Sequence, residues 1–519
     1  MRHSGDLVLA CMNRRRATHS LIQQYPTIRW VCAVAPAWVC RPFVPEQHEG
    51  FAMPVVTPWS LHRAVPAVLL LALSAPASAE LGDYNFWQTL SNLVSPPKAD
   101  NPVTPAQRTG PYPLLANPAG FNSGFNPGNY YGWQTIQMAP QTGAVCGNGS
   151  PYKFFINRVP NTRNTIIYLE GGGACWDYAS CSGQSGIRGA RNPNGIADDY
   201  MSLLNPGASL VSPFVVRLHP WTRVKTQNWN MVYVPYCTGD IYSGDKVAVY
   251  EDPQGQQPPL VWHHNGLRNM RAVVGWLKDN LPRPTQMLAT GCSAGGAGSL
   301  TNYANLRQDI APNRGYLIND SGPVYTALAG DNQAYPSYPL QTLIRQAWGL
   351  DAAQGPLQYL QARLPGFSST DLGSLYPALS SNLPGDRMGH THFWQDLNYS
   401  SYSYERFYPE IVNAPDQATK EVLIKQRWST DTSRLRGQLA NLGNVGGYFP
   451  QFRNVNESHC TSIIEFANSD IQEQNLELDH FVSNVLDGTG QVLDASESSD
   501  VADRNKPFNL LYYLLDQLL

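Results

Sequence analysis

The stretch that decides the fold runs from residue 285 to residue 300 and reads TQMLATGCSAGGAGSL. Residues 287–289 predict a short buried strand, and residues 296–306 predict a helix. The turn between them, GCSAG at 291–295, matches G-x-S-x-G. A strand, a tight turn and a helix in this order present a serine nucleophile. Ser293 is therefore the predicted nucleophile, and the N–H of Ala294 is predicted to face a developing oxyanion. A phosphate-binding turn is the alternative for this motif alone.

A second glycine-rich turn lies earlier in the chain. Residues 165–169 (TIIYL) predict a buried strand, and EGGG follows at 170–173. Consecutive glycines leave backbone N–H groups free of side chains. An α/β-hydrolase forms the other half of its oxyanion hole at this place, so Gly172 and Gly173 are predicted to contribute. An ordinary flexible turn is the alternative.

Further apolar runs show how the chain is organised. Residues 231–235 (MVYVP) and 315–318 read as strands, and 264–281 have apolar residues at helical spacing. Buried strands separated by helices indicate a mostly parallel sheet, hence an α/β-hydrolase fold. Residues 323–390, approximately, are mostly helical and predict a lid insertion above the sheet. One domain over 80–519 accounts for all of this.

The N-terminal part is predicted to be absent from the mature protein. From Met53 the chain has a weakly basic start, an apolar stretch at 64–73 and the small-residue site ASA at 77–79. This pattern predicts a signal peptide over 53–79, so the protein is predicted to be secreted or periplasmic and bacterial. A short buried helix is the alternative. Residues 1–52 lie upstream of this signal and indicate an over-extended translation start.

Composition excludes several classes of function. The 519 residues carry 36 Lys and Arg against 39 Asp and Glu, for a formal net charge of −3. A chain this close to neutral, without a long basic block, is not a nucleic-acid binder that relies on phosphate attraction. No apolar run reaches the ~18–20 residues that span a bilayer, so no stable membrane anchor is expected. We expect a monomer.

The cysteines agree with export. Residues 80–519 hold six, at positions 146, 175, 181, 237, 292 and 460. An even number in an exported chain predicts disulfides. Cys175 and Cys181 close a short loop and are the predicted pair, whereas Cys146, Cys237, Cys292 and Cys460 leave three pairings open. No C-x-x-C or H-E-x-x-H spacing is present, so neither a metal nor a cofactor is predicted.

Four sequence blocks together resemble one known family. YLEGGGAC at 168–175 and GCSAGG at 291–296 resemble the signature blocks of the pectin acetylesterases, a family that includes the Notum carboxylesterases. VPYCTGD at 234–240, followed by YSG, and NDSG at 319–322 are similar to two further blocks. The resemblance spans about residues 146–460. The chain departs from plant members in lacking their many cysteines and in a divergent stretch at 323–386.

The resemblance implies a Ser, Asp, His triad in that chain order. His459, in NESHC at 456–460, matches the position of the family's histidine. Asp396, in FWQDL at 393–397, lies after the insertion as the family's aspartate does. Asp320 is the alternative acid, although the family uses its block as a structural support beside the nucleophile. In these roles His459 takes the proton of Ser293 and Asp396 orients the imidazole.

Three other histidines are weaker alternatives for the base. His480 falls inside a helical pattern, where a capping or packing role is expected. His390 and His392 precede Asp396, which would reverse the order of acid and base along the chain.

The implied activity is that of a secreted carboxylic ester hydrolase that removes acyl groups, including acetyl groups, from a polysaccharide or a small ester. A lipid or polyester hydrolase on the same scaffold is one alternative. A non-catalytic glycan-binding protein is another. The choice depends on the depth of the pocket that residues 323–400 form.

Overall fold

A computed structural model of the chain describes residues 106–185, 189–201, 212–219, 221–453 and 456–498. All of them belong to one compact unit, Ala79–Leu519. The predicted extension at 1–52 and the predicted signal peptide at 53–79 lie outside the described residues. Among the residues described, no helix is both long and apolar enough to cross a bilayer.

Twelve strands are present in the described ranges, and they form two sheets. They are β1 (Ala106–Gln107), β2 (Trp133–Gln137), β3 (Lys153–Asn157), β4 (Thr165–Leu169), β5 (Asn230–Val234), β6 (Lys246–Tyr250), β7 (Leu260–His264), β8 (Gln286–Cys292), β9 (Arg314–Asp320), β10 (Arg387–Thr391), β11 (Val445–Phe449) and β12 (Ala495–Ser496).

The large sheet has the strand order β12-β11-β10-β9-β8-β4-β5-β3-β2. Neighbours from β12 to β5 are all parallel, whereas the two pairings at the other edge, β5 with β3 and β3 with β2, are antiparallel. Strands β1, β6 and β7 form a small antiparallel sheet. The predicted α/β-hydrolase fold with a mostly parallel central sheet is confirmed.

Ten helices are present in the described ranges, and several of them pack against this sheet. They are α1 (Tyr178–Cys181), α2 (Gly266–Asn280), α3 (Ala294–Ile310), α4 (Tyr338–Ala347), α5 (Pro356–Arg363), α6 (Leu375–Asn382), α7 (Leu397–Tyr404), α8 (Pro409–Val412), α9 (Gln417–Leu439) and α10 (Leu478–Asp487). Helices α4, α5 and α6 lie within the stretch predicted to be a helical insertion.

The strands at the centre of the sheet form because their residues are apolar on both faces. Every residue of β4 and β5 is buried, as a parallel sheet covered by helices requires. Strands β8 and β9 are longer than their apolar runs predicted. Their polar ends still pair in register, with Cys292 opposite Asp320, and this pairing places both ends at one edge of the sheet.

Strand β10 was not predicted, and it shortens the helical insertion at its C-terminal end. Arg387–Thr391 lies in the large sheet between β9 and β11, although the predicted insertion ran to about residue 390. Polar side chains dominate this strand, so the sequence shows no apolar run there. They are buried because they find hydrogen-bond partners, such as Tyr376 for His390 at 2.9 Å.

Candidate active site

Ser293 occupies a strained turn between β8 and α3. Its backbone has φ 57° and ψ −123°, which few residues other than glycine adopt. Its N–H donates to the carbonyl of Asp320 at 2.9 Å, and its carbonyl accepts from the N–H of Ala297 at 3.0 Å. These bonds hold the strained conformation, which carries the Ser293 side chain beyond the end of the sheet.

The glycines around Ser293 let this turn pack against β4. A Cβ atom at Gly291 would lie 2.2 Å from the carbonyl oxygen of Leu169, and one at Gly295 would lie 2.0 Å from it. No side chain fits at either distance. The motif therefore needs glycine at both positions because the start of α3 crosses close to the end of β4.

Asp396 and His459 are in direct contact. The Nδ1 atom of His459 lies 2.7 Å from Oδ2 of Asp396, and the two side chains are 5% and 0% exposed. Asp396 is also the N-cap of α7, where its Oδ1 accepts from the N–H of Tyr399 at 2.8 Å. Burial raises the pKa of the Asp396 carboxyl, and the contacts with His459 and the Tyr399 N–H oppose that rise.

Asp320, the alternative acid, binds the loop that follows His459. Its carboxylate accepts from the N–H groups of Thr461 and Ser462, each at 2.8 Å, and from both of their hydroxyls at 2.9 and 2.7 Å. The hydroxyl of Thr391 donates to the same carboxylate at 3.2 Å. Asp320 therefore ties the loop that follows His459 to the end of β9. Of the two aspartates, the one in contact with the His459 ring is Asp396.

Three disulfides are formed among the six cysteines. Cys175 is bonded to Cys181. The pairings that the sequence left open are Cys146–Cys237 and Cys292–Cys460. The last of these joins the residue before Ser293 to the residue after His459, so a covalent bond links the two loops that carry these side chains.

Two clusters of potential metal ligands also contain these cysteines. Among the described residues, Cys292, His459 and Cys460 form one cluster, and Cys175, Cys181 and His264 form the other. In each cluster the two sulfurs are bonded to one another, so they are not thiolate ligands. The residues at either place therefore do not fit a metal.

The second glycine turn lines a cavity that Ser293 and His459 also line. Gly172 and Gly173 both have positive φ, of 134° and 59°. Within the described ranges, the N–H groups of Gly172, Gly173 and Ala294 have no hydrogen-bond acceptor. Because these amides line the cavity beside Ser293, they are available to a ligand oxygen.

The cavity brings together most of the predicted site residues. Ser293, His459, Ala294 and the glycine turn line it, together with Arg191. The aromatic side chains of Tyr399 and Tyr402 form another part of the wall. No hydrogen bond joins Ser293 to His459 within the described residues. Asp396 lies behind His459 and is fully buried.

The first part of this site falls in a recognised family region. Residues 127–325 match the pectinacetylesterase family. The resemblance carried by the sequence blocks is thereby confirmed. The matched region contains Ser293 and the glycine turn, whereas Asp396 and His459 lie beyond its C-terminal end.

Relatives of this pectinacetylesterase region come from animals and plants. The chain is 26% identical to the palmitoleoyl-protein carboxylesterase NOTUM of Drosophila melanogaster over 40% of its own length and 30% of the relative. It is 29% identical to pectin acetylesterase 7 of Arabidopsis thaliana over 33% of its own length and 40% of the relative. The aligned parts therefore span less than half of these relatives. A crystal structure of the Drosophila Wnt deacylase Notum aligns with 72% of this chain and 97% of its own, at 18% identity and a TM-score of 0.44.

The three alternative histidines are not among the residues that line the cavity. His390 and His392 are fully buried and share a contact of 2.7 Å between ring nitrogens. His480, for which a capping or packing role was expected, is 61% exposed and lies 3.9 Å from Glu477. The sequence interpretation missed Arg191, and the only signal for it was the buried acid Glu170 at the start of the glycine turn, with which it forms an ion pair.

The buried His390 is expected to make stability depend on pH. Burial lowers its pKa to about 3, against ~6.5 in an unfolded chain. Below pH 6.5 the unfolded state therefore binds a proton that the folded state does not, and stability falls as the pH drops from about 6.5 towards 3. At pH 5 this effect is worth about 2 kcal/mol.

The check is a comparison of wild type with His390→Gln in urea unfolding at pH 7.5 and pH 5. The free energy of unfolding of wild type should fall by about 2 kcal/mol relative to that of the variant at the lower pH, because the variant lacks the histidine that titrates. His480→Gln is the matched control, because it removes a histidine whose side chain is 61% exposed. If the difference in free energy of unfolding between wild type and His390→Gln is the same at both pH values, the predicted effect of His390 on stability is wrong.

Proposed function

We propose that the protein is an exported serine carboxylic ester hydrolase that works through an acyl-enzyme. The observation that carries this proposal is the arrangement of one cavity. Ser293, at a strained turn, and His459, paired with Asp396, line it together with three backbone amides that have no acceptor in the described ranges. The names of the relatives, carboxylesterase and pectin acetylesterase, support the same reaction class.

Each step of the reaction follows from one of these groups. The hydroxyl oxygen of Ser293 attacks the ester carbonyl carbon while His459 accepts the hydroxyl proton. Asp396 orients the imidazole through Nδ1 and stabilises its positive charge. His459 then donates the proton to the leaving alcohol, and water attacks the acyl-enzyme in the reverse sense. Because Ser293 and His459 are not hydrogen-bonded in the free enzyme, we expect that contact to form with substrate bound.

The oxyanion of the tetrahedral intermediate is assigned to the amides of Gly172, Gly173 and Ala294. Their N–H groups have no acceptor in the described part of the chain, so they require no reorganisation when the charge develops. Ala294 is also the first residue of α3, where the helix dipole favours negative charge.

For the substrate we propose acyl groups, acetyl in particular, on a polysaccharide. The tyrosines in the cavity wall offer ring faces on which a sugar can stack. We also propose a signal peptide at 53–79 ahead of a single domain over 80–519, and the disulfides support export. We propose that this domain acts as a monomer.

A second candidate substrate is an ester with a longer acyl chain, and one observation favours it. An apolar cavity adjoins the first and shares Ile241 and Tyr399 with it. Seven of the residues that line it belong to α4, α5 and α6, among them Leu340, Ile344 and Leu357. A lipid or polyester hydrolase would place its acyl chain there.

Activity on p-nitrophenyl acetate, butyrate, octanoate and palmitate separates these substrates, alongside acetate release from acetylated pectin. We expect kcat/KM to be highest for acetate and to fall by tenfold or more towards octanoate, with acetate released from the polymer. Highest activity on octanoate or palmitate without acetate release would instead support the lipid or polyester hydrolase. A folded protein that hydrolyses none of these esters but binds the polymer would be a glycan-binding protein.

A further inference from the structure

Arg191 lies directly against the turn that carries two of the proposed oxyanion amides. Its N–H donates to the carbonyl of Gly172 at 3.2 Å, and a Cβ atom at Gly172 would be 2.5 Å from the Cβ of Arg191. Its side chain is 11% exposed and lines the cavity of Ser293 and His459. A positive charge is thus held next to the place where an ester would be cleaved.

The inner side of this guanidinium is held by buried groups. Its Nε atom lies 2.9 Å from a carboxylate oxygen of Glu170 and 3.2 Å from the hydroxyl of Tyr200. Glu170 is 3% exposed and also accepts from the hydroxyl of Tyr233 and the N–H of Tyr236, each at 2.9 Å. Because Glu170 is itself tied to β5 and to the segment that follows it, the position of the arginine is set before any ligand arrives.

The two terminal nitrogens of Arg191 are not used in this network. Within the ranges that the structure describes, Nη1 and Nη2 have no hydrogen-bond or ion-pair partner. Neither nitrogen is fully buried, so both remain accessible to a ligand. Two parallel N–H donors in a fixed plane match the two oxygens of a carboxylate.

We propose that Nη1 and Nη2 of Arg191 form an anion subsite that binds a carboxylate of the substrate beside the scissile ester. This inference rests on the proposed function and narrows it to substrates that carry a carboxylate near the acyl group. The carboxylate has two possible sources, a uronate sugar that bears the acyl group or a dicarboxylic acyl group. The preset arginine would select such substrates over neutral esters of the same size.

The test uses the full-length, disulfide-bonded protein. D-Galacturonate and D-galactose differ in a carboxylate, and their binding is measured by calorimetry and by inhibition of p-nitrophenyl acetate hydrolysis. The acyl source is tested by comparing p-nitrophenyl hemisuccinate with p-nitrophenyl butyrate as substrates. We expect at least a tenfold preference for the anion in one of these pairs, the range of a charge-assisted bidentate contact.

Two arginine variants identify the group responsible. Arg191→Lys keeps a positive charge beside Glu170 but lacks the planar pair of donors, so the preference for the anion should fall by tenfold or more. Arg436→Gln removes a charge from a side chain that is 42% exposed and outside the cavity, and it should keep the preference. Melting temperatures establish that both variants are folded.

Each result decides the proposal. A wild-type protein that prefers neither anion over its neutral counterpart overturns the anion subsite, as does an Arg191→Lys variant that is folded and keeps the wild-type preference. The failure of the proposed function looks different, because a protein without esterase activity would hydrolyse neither neutral nor anionic esters. Calorimetry would still show in that case whether galacturonate binds through Arg191.

Discussion

Replacing Ser293 by alanine is expected to lower kcat/KM for ester hydrolysis by about 10⁴-fold or more, with the fold intact. The variant loses the only group in the proposed mechanism that bonds covalently to the acyl carbon. What remains is catalysis by the oxyanion amides and by substrate binding. The turn is held by backbone bonds to Asp320 and Ala297 and by the close contact with β4, none of which needs the serine hydroxyl.

The measurement is kcat/KM on p-nitrophenyl acetate together with the melting temperature of the purified variant. Ser299→Ala is the matched control. It removes a buried hydroxyl of α3, the helix that follows Ser293, and this hydroxyl donates to the carbonyl of Gly296 at 2.7 Å. We expect that variant to lose about 1 kcal/mol of stability and to remain active. Turnover of Ser293→Ala at the wild-type rate would disprove the assignment of the nucleophile.

The second large effect separates the two aspartates. Asp396→Asn is expected to lower kcat by about 10⁴-fold, because an amide facing Nδ1 of His459 holds the wrong tautomer of the ring. Its N-cap contact with the N–H of Tyr399 is kept by the amide oxygen, so the loss of stability should be small.

Asp320→Asn is expected to act on stability first. The carboxylate accepts from two N–H groups and two hydroxyls of Thr461 and Ser462, and an amide NH₂ cannot accept half of these bonds. We expect a loss of about 3 kcal/mol in the free energy of unfolding. Activity should fall less than in Asp396→Asn, since the His459–Asp396 contact remains.

Rates and melting temperatures of both variants decide between the aspartates. A folded and inactive Asp320→Asn protein beside an active Asp396→Asn protein would transfer the role of the acid to Asp320. The two measurements are independent, because control of a histidine tautomer changes the rate without changing the melting temperature.

The sequence by itself determined the parts of this protein that depend on neighbours along the chain. The apolar run TIIYL forms β4 at the residues predicted, because a strand buried on both faces needs a continuous apolar stretch. The turn at Ser293 is also local, since a strand, two glycines and a helix are all encoded within residues 286–310. The Cys175–Cys181 disulfide is local as well, because its cysteines are only six residues apart.

Only the tertiary structure decided which distant groups meet. Asp320 ends β9 and Asp396 lies in the segment after β10, and the sequence alone does not show which of them contacts the ring of His459. Strand β10 escaped prediction because its buried side chains are polar and depend on partners elsewhere in the chain. The Cys292–Cys460 disulfide joins residues 168 positions apart.

Arg191 is the clearest case of a residue whose partners cannot be predicted from the sequence. Nothing in its own segment marks it as special, and it gains its place from Glu170 at the end of β4 and from Tyr200. Burial of a charge is acceptable only where the fold supplies a partner, and that partner is chosen by packing rather than by spacing along the chain. Local patterns therefore determine where strands, turns and a nucleophile form, while packing determines the partners of the polar groups around them.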